Sequence, residues 1–223
     1  MKRNFSYYLH FLIGRMMLFT LGFYSITGTH KIRPKAGQIL ISNHSSWIDI
    51  LYFWTYYSPL FVSGSEGRFC IENPTQLLSR VVEIKLAHGS ETLDQITKKA
   101  QSLSCPIVIF PEGLTTNGRA LLRFNTFTDP LPDNTFLFGL LYSKADFSPS
   151  YSVGSGLSHY YNLTSQLENR LLVKASVYQK SGLEVNSDVV KGLSNLTKQK
   201  IANFTAKDKV EFNNFYISKK KSK

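Results

Sequence analysis

Residues 38–49 read Gln-Ile-Leu-Ile-Ser-Asn-His-Ser-Ser-Trp-Ile-Asp, and the fold prediction starts from this stretch. The apolar run from Gln38 to Ser42 is short enough to be a buried strand. The Asn-His-Ser-Ser that follows is rich in residues that cap helices. Ser46 to Tyr57 is an apolar run long enough to form a helix. The stretch therefore predicts a strand, a turn and a helix in direct succession.

The rest of the chain continues this alternation. Apolar residues recur at spacings of three and four in predicted helices at 91–103 and 188–204, and a third helix is predicted at 157–167. Shorter apolar or alternating segments predict further strands, at 60–63, 81–86, 106–110, 136–142 and 171–178. Such an order favours an α/β fold with a largely parallel central sheet flanked by helices.

The amino-terminal segment from Phe5 to Tyr24 is mostly apolar and aromatic. Its length barely suffices for a membrane span of about 20 residues, and His10 and Arg15 interrupt it. Three alternatives stay open: a helix that lies on a membrane, a single span, or a buried helix of a soluble fold. We expect the first of these, a membrane-associating amino-terminal helix.

Composition limits the alternatives for the remainder. A chain of 223 residues with 43% hydrophobic residues can form one domain with a real core. Two cysteines cannot build a disulfide framework, and no cluster of metal ligands is evident, so we expect no metal. The net charge of +11 suits an anionic membrane surface or anionic substrates. No basic stripe alternates with aromatic residues as in single-strand binders, so we expect no nucleic acid as partner.

His44 and Asp49 are the first candidate catalytic residues. A neutral imidazole can accept a proton from a hydroxyl, and a carboxylate that fixes one tautomer makes it a better base. Residues five apart do not meet within one helix or one strand. They can meet if His44 lies in the turn before a helix and Asp49 in its first turns, as the predicted strand, turn and helix allow.

A second motif, Phe110-Pro111-Glu112-Gly113-Leu114-Thr115-Thr116-Asn117-Gly118-Arg119, directly follows the predicted strand at 106–110. Ligands of α/β proteins bind beyond the carboxyl ends of the strands. Here the glycines let a ligand approach the backbone closely, and Arg119 can meet a phosphate group.

Taken together, these motifs resemble the lysophospholipid (1-acylglycerol-3-phosphate) acyltransferase family. Its Asn-His-x4-Asp motif is matched by Asn43, His44 and Asp49, and its Phe-Pro-Glu-Gly motif by residues 110–113. The separation of 68 residues between His44 and Glu112 also fits the family. The continuation at 116–119 looks like the branch with lysophosphatidylcholine and fungal lipid-droplet lysophosphatidic acid acyltransferases. The resemblance covers roughly residues 38–178.

The chain departs from the family pattern in three places. Leu114 stands where the family has Thr or Ser, and Thr115 follows it. In the second motif, Lys85 is the nearest match to an Arg at the end of a strand. The segment 136–142 lacks the Pro of the fourth motif. Each departure affects groups expected around the substrate head group, not the His44 and Asp49 pair.

The resemblance implies an acyl-CoA-dependent O-acyltransferase that esterifies a lysophospholipid, with lysophosphatidic acid as the expected acceptor. His44 and Asp49 would be catalytic, and the phosphate would be held by a second set: Lys85, Glu112, Gly113, Thr115 and Arg119. The fold would be that of the glycerophosphate acyltransferases. Acyl-CoA would be a co-substrate, and no cofactor is implied. The alternative is a non-catalytic, membrane-bound binding or scaffolding protein on the same fold.

The expected organisation has three parts: a membrane-associating segment at 1–28, an acyltransferase domain at 29–210 and a basic tail at 211–223. The tail includes Lys220-Lys221-Ser222-Lys223, which fits a dilysine retrieval signal. We therefore expect a membrane-associated protein of the endoplasmic reticulum or lipid droplets, with its active site facing the cytosol.

Overall fold

The computed structural model describes residues 5–28, 32–62, 85–87, 92–124, 127, 130–143, 147–150, 156–180 and 184–221. The helices are α1 (Phe5–Thr20), α2 (Ile48–Tyr57), α3 (Leu93–Ser102), α4 (Gly156–Thr164), α5 (Val185–Thr197) and α6 (Ala206–Lys221). The strands are β1 (Ile26–Gly28), β2 (Ile39–Ser42), β3 (Leu60–Val62), β4 (Lys85–Ala87), β5 (Ile107–Ile109), β6 (Ala120–Leu121), β7 (Phe136–Tyr142), β8 (Leu171–Val177) and β9 (Lys200–Ile201).

Seven of the described strands form one sheet in the order β1-β8-β7-β2-β5-β3-β4. Strands β7, β2, β5, β3 and β4 are parallel neighbours, and β1 pairs in parallel with β8. The β7–β8 pair is antiparallel, so β8 and β1 run against the other five strands. The predicted α/β fold with a mostly parallel sheet is therefore confirmed.

Strand β2 lies at the centre of the sheet, and all four of its residues are buried. Its side chains alternate between two cores, because successive residues of a strand point to opposite faces. Leu40 packs in the core that α1, α2 and α4 share. Ile39 and Ile41 pack in the core beneath α3 and α5. Helices on both faces explain why β2 is buried along its whole length.

Helix α1 packs against α2 and directs its interrupting polar residues toward that helix. His10 Nδ1 lies 3.1 Å from Ser58 Oγ, and Arg15 donates to the Tyr56 hydroxyl at 3.0 Å. Gly14 allows the close approach, since a Cβ there would stand 2.1 Å from Thr55 Oγ1. The two polar residues that interrupt the apolar run thus mark the protein-facing side of α1.

The outward side of α1 is apolar. Its exposed residues are mostly large and hydrophobic: Tyr8, Leu9, Phe11, Leu12, Met16 and Phe19. Within the described part of the chain, no helix is both long and apolar enough to cross a bilayer.

Several elements differ from the sequence predictions. Helix α5 starts three residues earlier than predicted and ends at Thr197, because Lys198 takes a left-handed conformation with φ of 58°. Strand β9 follows and pairs with β6. Helix α6 was not predicted as a helix, and it runs across the expected boundary between residues 210 and 211. Of the strand predicted at 81–86, residues 81–84 lie outside the described residues.

Candidate active site

The turn between β2 and α2 brings His44 and Asp49 together. Strand β2 ends at Ser42, and Asp49 is the second residue of α2. His44 Nδ1 lies 2.9 Å from Asp49 Oδ2. The same Oδ2 accepts the backbone N–H of Ser45 at 2.7 Å and of Ser46 at 2.9 Å. Because one carboxylate oxygen accepts all three of these hydrogen bonds, the turn folds around Asp49. His44 and Asp49, five apart in sequence, are therefore in contact.

Tyr142, the last residue of β7, donates its hydroxyl to the other carboxylate oxygen, Asp49 Oδ1. Burial, together with the charge of Asp49, raises the pKa of Tyr142 well above its usual value. The hydroxyl therefore stays protonated and keeps donating. Asp49 itself is fully buried, so its charge is balanced by these donors rather than by water.

Phe110, which follows β5, fixes the plane of the imidazole. The rings of His44 and Phe110 stack with centroids 4.3 Å apart and an interplanar angle of 22°. His44 is 5% exposed, so little of the ring remains open to an incoming group. One contact at Nδ1 and one at the ring face restrict the rotation of the side chain.

Asn43 ties the turn to β7. Its side-chain oxygen accepts the Leu140 N–H at 2.8 Å, and its amide nitrogen donates to the Leu140 carbonyl at 3.0 Å. The side chain thus makes the pair of bonds that a neighbouring backbone would make in a sheet. It thereby holds the turn that follows β2 against β7, the strand that ends at Tyr142.

The motif that begins at Phe110 forms a turn next to this pair. Gly113 N–H donates to the Phe110 carbonyl at 3.1 Å, with Pro111 at the second turn position, which suits its fixed φ. Gly113 has φ of +70°, in the region that favours glycine. No atom of the described structure lies within 4 Å of the place where its Cβ would stand, its two chain neighbours aside, so the space above it is open.

Glu112 is buried in this turn and accepts two backbone hydrogen bonds. Oε1 accepts the His44 N–H at 3.2 Å, and Oε2 accepts the Leu122 N–H at 3.4 Å. Burial raises the pKa of Glu112 from 4.5 to about 8, against the lowering effect of the two N–H donors. The carboxyl group thus joins the two motifs through the backbone of His44.

Two threonines extend the connection. Thr116 donates both its N–H, at 2.8 Å, and its hydroxyl, at 3.2 Å, to the His44 carbonyl. Lys209 of α6 donates to the Thr115 carbonyl and, at 3.2 Å, to the Thr115 hydroxyl. The sequence did not indicate Lys209 or Tyr142 as site residues, because each is more than 90 positions from its partner.

Arg119 and Lys85, the other two residues predicted to hold a phosphate, lie in different places from the contacts described above. The Arg119 side chain is exposed and lines a cavity of about 180 Å³ beside the turn. Lys85 is the first residue of β4 and lies level with Leu60 of β3, which lies level with Ile107 of β5. The sequence interpretation put Lys85 near the end of a strand, but its backbone lies at the amino end of the sheet. His44 and Glu112 follow the carboxyl ends of β2 and β5, so they lie at the opposite ends of the strands from Lys85.

Metal ligands do not converge in the described part of the chain, where no three His, Cys, Asp or Glu side chains form a group that could hold an ion. The described site offers an imidazole, a buried carboxylate, a phenol and backbone donors.

Comparisons with known proteins give a consistent family. The family model named Acyltransferase matches residues 24–127, which include both motifs. The chain is 31% identical over 170 residues to a lysophospholipid acyltransferase of Arabidopsis thaliana, covering 66% of this chain and 40% of that protein. It is 25% identical over 192 residues to a putative lysophosphatidic acid:oleoyl-CoA acyltransferase of Schizosaccharomyces pombe, covering 79% of this chain and 61% of the relative.

A third relative is the lyso-ornithine lipid O-acyltransferase of Brucella abortus, 28% identical over 128 residues, or 56% of this chain and 46% of that protein. The chain thus spans about half the length of the curated relatives it matches. The fold is also that of a solved structure, the 1-acyl-sn-glycerophosphate acyltransferase PlsC of Thermotoga maritima, with a TM-score of 0.50 and 13% identity. That similarity covers 86% of this chain and 76% of the other. Residues 24–127, which fold both motifs into one site, are thus similar to the acyltransferase family, and the named relatives of the chain are acyltransferases of lysolipids.

Proposed function

We propose that the chain transfers an acyl group from acyl-CoA to a free hydroxyl of a lysophospholipid, with lysophosphatidic acid as the main acceptor. The observation that carries this proposal is the contact of His44 Nδ1 with Asp49, whose carboxylate is itself held by three further donors. Acceptors of this class appear in the names of the lysophospholipid and lysophosphatidic acid acyltransferases that the chain resembles.

The proposed mechanism uses His44 as a general base and then as a general acid. With the Nδ1 proton directed to Asp49, the lone pair at Nε2 can take the proton of the acceptor hydroxyl. The hydroxyl oxygen attacks the thioester carbonyl, and a tetrahedral intermediate forms. When the carbon–sulfur bond breaks, His44 returns the proton to the leaving thiolate. Asp49 orients the ring and stabilises the imidazolium that forms during attack.

The turn that begins at Phe110 would hold the phosphate of the acceptor. Gly113 leaves open space beside the backbone, and Thr115 and Arg119 follow within six residues. Both oxygens of Glu112 accept backbone N–H groups, so we assign it to positioning the two motifs rather than to direct contact with an anion. Lys85 is not part of this proposal, because its backbone lies at the amino ends of the strands and the two motifs follow the carboxyl ends.

Membrane association is part of the same proposal. The apolar outward side of α1 and the basic charge of the chain suit a helix that lies on an anionic lipid surface, where the acceptor lipid is found. The membranes we propose are the endoplasmic reticulum and lipid droplets, with the site facing the cytosol. Fluorescence microscopy of the tagged chain beside markers of both compartments tests this.

The deciding experiment combines the purified chain with acyl-CoA and a panel of lysophospholipids. We expect esterified product from the wild type. His44→Ala should lower kcat by at least about 100-fold, since general-base catalysis contributes that much. Asp49→Asn should also lower kcat, because the amide cannot accept as the carboxylate does. Lys191→Ala, at an exposed position on α5, is the matched control and should retain full activity.

Far-ultraviolet circular dichroism would show that each variant is folded. Equal product formation by wild type and His44→Ala would refute the mechanism. A folded wild type that binds the lipids but transfers nothing from any acyl-CoA would favour the non-catalytic alternative.

A further inference from the structure

A small polar cavity adjoins the Asp49 side of the proposed catalytic pair. Its volume is about 180 Å³, and its lining includes Ser45 and Tyr142, both of which donate to Asp49. A further part of the lining comes from the end of α5, where Lys198 and Gln199 follow Thr197. This part of the lining lies outside both motifs that the sequence singled out, and neither motif predicted it.

The lining of the cavity is cationic. Arg119 and Lys198 both contribute to it with exposed side chains, and no acidic residue is among the described residues that line it. Lys198 reaches this position because it ends α5 in a left-handed conformation, which turns the chain toward the Phe110–Arg119 segment. An anion in the cavity would therefore be attracted by both cations.

Gln199 supplies a second feature, which is independent of charge. The side chain is 8% exposed, and its Nε2 donates to the Gly118 carbonyl at 2.7 Å. That bond fixes the orientation of the amide, because a carbonyl can only accept. Gln199 lines the cavity, and its Oε1 is buried without a hydrogen-bond partner among the described residues. A buried acceptor of this kind needs a donor, which a ligand in the cavity can bring.

We propose that this cavity binds a substrate phosphate that carries a hydrogen-bond donor, with Arg119 and Lys198 facing the anionic oxygens and Gln199 accepting from the donor. The proposal rests on the proposed function. A phosphate monoester fits both features, since its monoanion has charged oxygens and a P–OH group. Two substrates offer a phosphate monoester: lysophosphatidic acid in its head group, and coenzyme A in its ribose 3′-phosphate.

The acceptor oxygen of Gln199 gives the cavity selectivity. A phosphocholine head group has a charged phosphate but no donor on its quaternary ammonium, so it would leave Oε1 unpaired. Leaving a buried acceptor unpaired should weaken binding by about tenfold. We therefore expect monoesters to be preferred over choline diesters, although both carry a phosphate.

Calorimetric titration measures ligand binding to the cavity separately from acyl transfer. Glycerol 3-phosphate and glycerophosphocholine share the glycerol and differ at the phosphate. Titrated into the full chain carrying His44→Ala, glycerol 3-phosphate should bind about tenfold more tightly. Adding Lys198→Met should weaken both ligands by a few-fold, because one cation is lost at an exposed site. Adding Gln199→Met should remove the preference between the two ligands.

The controls separate the proposal from folding and from catalysis. Lys191→Met removes a charge elsewhere on α5 and should leave both affinities unchanged. Should Gln199→Met fail to fold, Lys198→Met still tests the anion site, since its side chain is exposed. Equal affinity of His44→Ala for both ligands, or affinities that Lys198→Met does not change, would overturn the proposal whether or not the chain transfers acyl groups.

Steady-state kinetics of the Lys198→Met and Gln199→Met chains then identify the source of the phosphate. A higher KM for lysophosphatidic acid, with an unchanged KM for acyl-CoA and unchanged kcat, assigns the cavity to the acceptor head group. A higher KM for acyl-CoA alone assigns it to the coenzyme A phosphate. Unchanged KM values for both substrates would overturn the proposal.

Discussion

Asp49 shows how one buried side chain organises the site. Its two oxygens accept from the imidazole of His44, two backbone N–H groups and the phenol of Tyr142. Hydrogen bonds to a buried charged group contribute more than those between neutral groups. The carboxylate therefore stabilises the turn and orients the imidazole with the same set of contacts.

Tyr142→Phe should weaken this arrangement without changing the shape of the side chain. Loss of one bond to a buried carboxylate should lower the free energy of unfolding by about 1.5–3 kcal/mol and lower kcat, because Asp49 is less firmly placed. Urea denaturation and initial-rate kinetics measure the two effects. Tyr178→Phe, in the other core, is the matched control. An unchanged kcat in Tyr142→Phe would show that the phenol does not position the pair.

Glu112 predicts a pH dependence of stability. Because burial raises its pKa from 4.5 to about 8, the folded chain holds a proton that the unfolded chain releases between these values. The free energy of unfolding should therefore fall as the pH rises through this window, by at most about 1.4 kcal/mol per pH unit. Glu112→Gln cannot ionise and should show a shallower slope in urea denaturation between pH 5 and 9. Identical slopes would contradict the assignment.

The site was predictable where its residues are close in sequence. The contact of His44 with Asp49 followed from a strand, a turn and a helix within 20 residues, and the structure has it. Tyr142 and Lys209 were not predictable, because a lone tyrosine or lysine carries no signal for a partner that only the sheet order or a distant helix brings near. Lys85 was placed wrongly in its strand, since an apolar run does not define where pairing starts.

Helix α6 is an element that the sequence pattern did not predict. Its sequence has no apolar stripe, since exposed aromatic residues such as Phe212 and Phe215 alternate with polar ones. Apolar periodicity predicted α3 and α5, each of which buries one side, and a continuous apolar run predicted α2, which is buried almost throughout. The short pairs β6 and β9 were also missed, because two residues give no pattern.

Lys209 makes α6 part of the site, which gives a prediction for this element. Lys209→Met removes both contacts with Thr115 and the nearby charge that lowers the pKa of Glu112. We expect a lower kcat, because the turn beside His44 is held less firmly. Ending the chain at residue 205 should cause a similar loss. Lys207→Met, exposed on the same helix, should have no effect, and full activity of the shortened chain would contradict the role of α6.

At the scale of the whole molecule, one side of α1 packs against the fold and the other side is exposed. Helix α1 directs His10 and Arg15 toward α2, while its outward side remains apolar. Exposed large apolar side chains gathered on one side of a helix are typical of an interaction surface. The anionic lipid surface that we propose as its partner also suits the net charge of +11.

Vesicle sedimentation tests this at the scale of the whole chain. Replacing Leu12 and Met16 by Glu should reduce binding to anionic vesicles by at least about tenfold, since each buried apolar side chain contributes about 1.5–3 kcal/mol. Both positions are exposed, so folding should be unaffected. Asn195→Glu with Asn214→Glu adds the same charge on α5 and α6 and is the control. Equal loss of binding in both double variants would indicate a purely electrostatic effect.

Asn43 also bears on whether this chain can be glycosylated. The triplet Asn43-His44-Ser45 is also an Asn-x-Ser acceptor sequence for N-linked glycosylation. In the folded chain the Asn43 amide is 1% exposed, and its nitrogen donates to the Leu140 carbonyl. A glycan attached to that nitrogen would separate β2 from β7 and displace the turn that holds His44. Folding of this domain and glycosylation of Asn43 therefore exclude each other, and a modified chain would lack the proposed catalytic pair.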